Sequence, residues 1–367
     1  MLRIATVGTS MITSDFIEVV NASERTAFVG TLSRDAERAR TFTAERGGTL
    51  PFTSLDELAA SPEVDAVYLG SPNGLHAAQA LACIAGGKHV LVEKPLGANE
   101  REAQAVFDAA EQTGVVVLEA MRPLHDPAFH AVRTALSELG RIRRANLHFG
   151  KYSSRYDEIR AGRRTNIFDC ELASGALMDM GVYSVEALIG LFGEPDATIS
   201  CPVLLDEATR PLTHGTLDGA GTILASYPGM LAALHYSKIT NDNLPSQVEG
   251  EEATLTFGGL SVPTWARIEL RGQVGRGAAK AVRVAEGAAT RELELPYVEN
   301  TMAYELDDFV TAIEAVQAGA AVTEAPAGPY GTVGYFRDVT LASLRLMDRV
   351  RREAGIVFPA DGETATA

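Results

Sequence analysis

Short, densely apolar runs recur along residues 1–120, each followed by a stretch whose apolar positions return at helical spacing. Runs of the first kind suit strands buried on both faces, and stretches of the second kind suit amphipathic helices. Leu2–Val7 reads as the first strand, followed by a helix near Asp15–Asn21 with Ser14 as N-cap. Ala27–Leu32 is the second strand, and the helix Asp35–Arg46 is closed by Gly47-Gly48. A short helix near Leu55–Ala60 leads to the strand Ala66–Leu69, then to a helix Leu75–Ala85 ended by Gly86-Gly87. His89–Val92 follows as a strand, Asn99 and Glu102 make a capping-box pattern for a helix running to Gly114, and Val115–Glu119 is one more strand. Regular alternation of strand and helix implies βαβ units and a doubly wound parallel sheet.

Past Asp126-Pro127, which starts a helix reaching Leu139-Gly140, the pattern changes. Strand-like stretches now follow one another: Arg141–Lys151, Ala197–Leu204, Gly219–Tyr227, Met230–Lys238, Gln247–Phe257, Ala266–Arg271 and Lys280–Ala285. Helical patterns are confined to Gly175–Leu191, Tyr304–Gly319 and Thr332–Ala354. Strands in series without intervening helices predict an antiparallel or mixed sheet. Residues 1–122 are therefore expected to form one domain and residues 123–359 an α+β second domain, with 360–367 as a flexible tail. Gly272–Gly277 and Pro326–Pro329 read as surface loops.

Length and charge narrow the class. A chain of 367 residues with 46% hydrophobic content is ordinary globular material for two domains. Its net charge of −16 disfavours nucleic acid and anionic membrane surfaces as partners. The longest apolar runs, such as Val115–Leu118, are too short to span a bilayer, and the N-terminus lacks a signal-peptide layout. Cys83, Cys170 and Cys201 are odd in number and widely spaced, so they are expected as buried or partly buried free thiols in the cytoplasm. No metal site is suggested.

Chemistry gathers at strand ends. Glu93-Lys94-Pro95 stands directly after Val90-Leu91-Val92, at the carboxyl edge of the sheet where ligands bind. The first strand opens into Gly8-Thr9-Ser10-Met11-Ile12-Thr13, which keeps the tight-turn glycine of a dinucleotide fingerprint and replaces the other two by Ser10 and Thr13. At the end of the second strand stand Ser33 and Arg34, with Arg38 one helical turn on; this favours the 2′-phosphate of NADP, while Asp35 leaves NAD open. Ser71-Pro72-Asn73, with His76 beyond it, lies at a third strand end and suits the nicotinamide side of a cleft. Arg122 follows the last strand of the domain, facing either substrate or a surface partner. In the second domain Asp179 and Tyr183 are spaced i, i+4 on an apolar helix, and Tyr156 lies in a polar, aromatic stretch suited to a polyhydroxylated ligand or to a solvated loop.

Taken in order, the glycine loop, Ser33-Arg34, Ser71-Pro72-Asn73 with His76, Glu93-Lys94-Pro95 and Gly175…Asp179-Met180-Gly181-Val182-Tyr183 resemble the Gfo/Idh/MocA family of oxidoreductases. The resemblance covers nearly the whole chain, down to Arg351-Arg352…Gly355-Ile356-Val357-Phe358-Pro359. It implies an N-terminal Rossmann domain and a C-terminal α/β domain on a large open, mostly antiparallel sheet, whose exposed face joins copies into a homodimer or homotetramer. Tyr183, where many members carry histidine, is similar to the glucose–fructose oxidoreductase and dimeric dihydrodiol dehydrogenase branch, which uses NADP. Ser174 stands where those relatives usually carry glycine.

The implied reaction is hydride transfer between nicotinamide and a secondary alcohol or ketone of a sugar, polyol or dihydrodiol. Lys94, Tyr183 and Asp179 form the catalytic set, with Arg122 and Tyr156 also against the substrate. Gly8, Thr9, Ser10, Met11, Ile12, Ser33, Arg34, Arg38, Ser71, Pro72, Asn73, His76, Glu93, Lys94 and Arg122 line the cofactor. A free tyrosine titrates near ~10, so Lys94 is expected to favour the Tyr183 phenolate. The alternatives are a lyase or hydrolase working through transient oxidation, and a non-catalytic NADP-binding regulator.

Overall fold

The computed structural model describes residues 1–274, 285–286 and 289–362. Strands β1 (Leu2–Val7), β2 (Thr26–Leu32), β3 (Leu50–Phe52), β4 (Ala66–Leu69), β5 (His89–Glu93) and β6 (Val117–Ala120) form one parallel sheet in the order 3-2-1-4-5-6. Every residue of β4 and β6 is buried, which is why these strands read as unbroken apolar runs. Strand order reverses between β1 and β4, the crevice where a doubly wound sheet takes its ligand.

Two departures from the sequence reading have local causes. The first helix begins at Met11 rather than Asp15, because Ser10 and not Ser14 caps it; the Ser10 hydroxyl accepts from Thr13 N at 3.4 Å. β3 escaped notice because it is three residues long and centred on Pro51, which an edge strand tolerates.

The second half of the chain builds an eight-stranded sheet from β7 (Ile142–Gly150), β8 (Ala197–Leu204), β9 (Asp218–Tyr227), β10 (Met230–Ser237), β11 (Ser246–Gly250), β12 (Ala253–Gly258), β13 (Trp265–Leu270) and the strand Thr290–Glu292. From one edge the order is Thr290–Glu292, β13, β12, β11, β7, β10, β9, β8. Neighbours are antiparallel except β7 with β10. The stretch Gln247–Phe257, read as one strand, is a hairpin of β11 and β12. Apolar alternation carries through its turn, while Gly250 passes so close to Leu139 that a Cβ there would lie 2.1 Å from the Leu139 carbonyl oxygen. The expected strand Lys280–Ala285 falls almost wholly outside the described residues, as does the second half of the expected loop Gly272–Gly277; within that loop Gln273–Val274 is instead a two-residue strand paired with Ala285–Glu286.

One face of this sheet is covered by the segment Leu177–Phe192, which packs on β7 and β10 and, on its other side, on the long helix Val333–Glu353. Cys170–Phe192 is long and apolar enough by composition to cross a membrane, a match the shorter apolar runs did not reveal; here it is mostly buried in the protein core. The helix Val333–Glu353 also touches β6 and the helix Glu100–Thr113, so it ties both sheets together. At its end the buried Arg351 guanidinium donates to Asp348, to Asp361 and to the Ala98 carbonyl, just beyond the Lys94 turn. Residues 360–362, read as part of a flexible tail, are thus pinned through Asp361; residues 363–367 lie outside the described set. Cys83 and Cys170 are buried, but Cys201 is exposed on the outward face of edge strand β8.

Candidate active site

The turn after β5 is built from behind. Val90, Leu91 and Val92 are fully buried and fix the strand's end. The Glu93 carboxylate accepts from the Tyr68 hydroxyl at 2.6 Å and from the N–H of Lys94 at 3.3 Å, and the Tyr68 ring stacks on Phe16 at 3.9 Å. The Lys94–Pro95 peptide is cis. Leu96 N donates to the buried Glu119 carboxylate at 2.7 Å. His76 has no exposed surface, and its ring nitrogens lie 2.8 Å from the Ser71 carbonyl and 2.9 Å from that of Pro95. It therefore braces two turns from inside, which corrects its assignment to the cofactor surface.

This scaffold sends the Lys94 ammonium across to the other half of the chain. Nζ donates to Asp179 Oδ1 at 2.8 Å and to the Asp179 carbonyl at 2.9 Å. The helix there departs from the regular spacing assumed from sequence: Leu177–Gly181 is a π-helical turn that passes into an α-helix at Val182. Such bulges are frequent at functional sites. The turn starts on Asp218, whose carboxylate accepts from Ala176 N at 3.1 Å and Leu177 N at 2.8 Å. Ser174, standing in place of a glycine, uses its hydroxyl to donate to the Asp169 carbonyl at 2.8 Å. Asp179 also pairs with the Lys238 ammonium, so one carboxylate lies between two cations. Its side chain keeps 29% exposure, the open side of the cleft.

Tyr183 meets Lys94 through its ring, with Nζ 4.8 Å from the centroid, and packs on Phe149 at 4.5 Å. Burial pulls the Lys94 ammonium down, but Asp179, Tyr183 and Glu93 outweigh it and the net direction is up. Burial pushes the Asp179 carboxyl up, and Lys94 with Lys238 reverses this, holding it well below the usual carboxylate range. For Tyr183 burial dominates: Lys94 and Arg122 pull down, Glu93 and Asp179 push up, and the phenol ends above its ordinary value. Lys94 favours the phenolate, as expected, but burial outweighs it and the net direction is up. Desolvation of a phenol wins over a cation whose hydrogen bonds go to Asp179.

Arg122 begins the short helix after β6, half-buried in the field of Glu305, Tyr183, Glu93 and Tyr68. Tyr156 lies on a helix, Ser154–Arg160, where a strand-end loop was expected. Its ring is 5.9 Å from that of Phe168, which in turn lies 5.8 Å from Lys238 Nζ.

The nucleotide turn lies at the other end of the crevice. Gly8 has φ +105°, and a Cβ there would lie 2.9 Å from the Gly70 carbonyl oxygen, so the first and fourth strands' loops close on each other. The first helix then opens at Met11 and Ile12, whose N–H groups stand in the first turn and lack helical acceptors. A pyrophosphate fits such a turn. Arg38 reaches back to the Thr9 carbonyl at 3.2 Å. Asp35, the acid that would hold a ribose, instead caps the second helix by accepting from Arg38 N at 3.0 Å, and its own N–H donates to Ser33 Oγ at 3.3 Å. Arg34 is exposed beside it. Ser71 Oγ donates to Gln79 at 2.6 Å, Pro72 starts the next helix, and the Asn73 amide donates to the Ala173 carbonyl at 3.1 Å. Ser71 and Asn73 thus hold the cleft wall together.

Comparison with known proteins agrees with this layout. Residues 2–121 match the model of the oxidoreductase family with NAD-binding Rossmann fold, and residues 129–256 match the GFO/IDH/MocA C-terminal domain. The chain is 34% identical to scyllo-inositol 2-dehydrogenase (NADP(+)) IolU of Bacillus subtilis (strain 168), over 98% of this chain and 99% of the other. The chain belongs to the Gfo/Idh/MocA family. It is also 28% identical to trans-1,2-dihydrobenzene-1,2-diol dehydrogenase of Macaca fuscata fuscata, again over 98% and 99%. The fold is that of a 3-ketoreductase from Actinomadura kijaniata, with TM-score 0.76 and 23% identity over 95% of this chain and 97% of that one. As a Gfo/Idh/MocA protein the chain is an NAD(P)-dependent oxidoreductase acting on CH–OH groups of a small molecule.

Three features of this Gfo/Idh/MocA site escaped the sequence reading. Lys238 looked like the last residue of a strand. Glu119 and Glu186 lie buried against each other behind the Lys94 turn, with Glu186 pushed well above the carboxylate range by burial and by Glu119. Glu305 is fully buried beside Arg122, and among the described residues neither carboxylate oxygen has a hydrogen-bond partner. The one available signal was an acid inside an otherwise apolar run.

Proposed function

We propose that the chain is an NADP-preferring dehydrogenase/reductase that interconverts a secondary alcohol and a ketone of a polyol, sugar or trans-dihydrodiol. The observation that carries this is the convergence of Lys94, Asp179 and Tyr183 at the carboxyl end of β5, beside the nucleotide crevice. Named relatives that act on an inositol and on a dihydrodiol support the substrate class. The use of Asp35 as a helix cap, with Arg34 and Arg38 beside it, supports NADP, as does the cofactor in the inositol dehydrogenase's name.

When bound, a nicotinamide would supply or accept the hydride. Lys94 has three N–H groups and spends two on Asp179, so the third is left for the substrate oxygen and stabilises developing alkoxide. Tyr183 is a phenol at neutral pH and gives its proton to a carbonyl oxygen in the direction of reduction. Asp179 aims Lys94. Arg122 feels the charges of Glu305, Tyr183 and Glu93 and would face the nicotinamide or the substrate. Tyr156, packed near Phe168, would contact the substrate from the second half of the chain.

Residues 1–122 are proposed as the nucleotide domain and 123–359 as the substrate domain. The free thiols support a cytoplasmic setting. The outward face of the eight-stranded sheet carries exposed Ile199 and Leu224 paired across β8 and β9, with Leu231 nearby on β10, and supports a homodimer or homotetramer. Stoichiometric NADPH consumption on ketones of inositols, sugars and cyclic diols tests the net redox reading; product formed without cofactor turnover contradicts it in favour of transient oxidation.

A further inference from the structure

Lys238 is 1% exposed, an unusual place for a lysine. It follows β10, and its backbone is tied on both sides: its N–H donates to the Gly219 carbonyl at 2.9 Å, and its carbonyl accepts from Ser153 N at 2.9 Å. Its ammonium goes to Asp179 Oδ2, while Lys94 takes Oδ1 and the main-chain oxygen. With two ammonium groups and one carboxylate, the cluster carries one net positive charge. Each side-chain oxygen of Asp179 is thus taken by a different ammonium group.

We propose that Lys238 is a positioning residue, which occupies one oxygen of Asp179 so that Lys94 is held by the other and stays directed at the substrate oxygen. This rests on the reading of Lys94 given above. Asp179 faces Lys94 from the β5 turn, Lys238 from the end of β10 and Tyr183 from its own helix. Lys238 faces Asp179, Lys94 and Asp218. Because two cations hold the Asp179 carboxyl down, it stays charged until pH falls through that lowered value. Removing one cation raises the value, so Asp179 protonates at a higher pH and releases Lys94 earlier on acidification.

The test replaces Lys238 by Gln, which keeps an N–H donor without charge, and by Arg, which keeps the charge. Where the amide variant does not fold, Lys238→Met takes its place. Infrared titration of the protonated carboxyl band of Asp179, assigned by its loss in Asp179→Asn, reads the ionisation without any turnover. In Lys238→Gln the band is expected to appear roughly one pH unit or more above its wild-type onset, with the acidic limb of kcat/KM moving by the same amount; Lys238→Arg keeps both near wild type. An unmoved band overturns the proposal, and so does a moved band with an unmoved kinetic limb. If Lys94→Ala turns over like wild type, the underlying reading of Lys94 fails, and the infrared result still decides whether Lys238 governs Asp179.

Discussion

The Lys94 ammonium lies over the face of the Tyr183 ring, 4.8 Å from its centroid, and its hydrogen bonds run to Asp179. Lys94 and Tyr183 are therefore neighbours joined by no hydrogen bond of their own, and on the proposed reading each acts separately on the substrate oxygen. Burial keeps Tyr183 protonated at neutral pH, above its ordinary value near ~10. Reduction needs the phenol, which is present at all pH below that value; oxidation needs the phenolate, which grows in as pH rises. The rate of alcohol oxidation is thus expected to climb about tenfold per unit between neutral and alkaline pH, and Tyr183→Phe to remove the climb. A flat oxidation profile in the wild type would count against the assignment.

Asp35 is engaged as a helix cap, and on the proposed reading Arg34 and Arg38 carry the cofactor choice. Arg34→Ala is expected to lower the NADP-over-NAD preference by roughly 10- to 100-fold, the worth of one charge-assisted hydrogen bond. Isothermal titration with both nucleotides checks this, and an unchanged ratio contradicts it.

Behind the Lys94 turn, Glu119 accepts from Leu96 N at 2.7 Å and Thr340 Oγ1 at 2.6 Å while Glu186 leans on it. Burial pushes both carboxyls up; Glu119 raises Glu186 further while Glu186 lowers Glu119, which points to a shared proton resting on Glu186. Glu186→Gln keeps a donor and is expected to cost little. Glu119→Ala orphans the Leu96 N–H, the Thr340 hydroxyl and Glu186, and is expected to cost on the order of 3 kcal/mol or more. Thermal unfolding of both variants gives the comparison; equal losses would refute the shared proton.

On the outer sheet face, Ile199 pairs with Leu224 and Leu224 with Ala233 across three strands. Introducing charge there by Ile199→Asp with Leu224→Asp is expected to convert the proposed homodimer or homotetramer to monomers while leaving the isolated fold intact. Light scattering with circular dichroism reads both. A wild-type monomer in solution would remove this face from the account.

Much of this was legible before any coordinates. β4 and β5, buried on both faces, announce themselves as apolar runs, and glycines at 47, 87 and 114 mark helix ends where φ is positive. Lys94 and Asp179 were legible as candidates from their motifs and the family resemblance, as were Gly8 and Ser10. What could not be read depends on distances between remote residues. Nothing in the pattern of β10 says that Lys238 reaches Asp179, 59 positions away. The π turn at Leu177–Gly181 is invisible to a helical count, and the upward shift of Tyr183 is a contest between burial and charge that only the packed site decides. His76 looked like a cleft residue because its strand-end position is right, whereas its ring points inward to two carbonyls.

The most direct measurement is steady-state NADPH consumption by the wild type, Lys94→Ala and Tyr183→Phe on the same ketone, with NADPH affinity measured alongside. Loss of Lys94 or Tyr183 from the reacting centre should lower kcat by about 10²- to 10⁴-fold with little change in cofactor affinity. Turnover near wild type in both variants would contradict the assignment of this site.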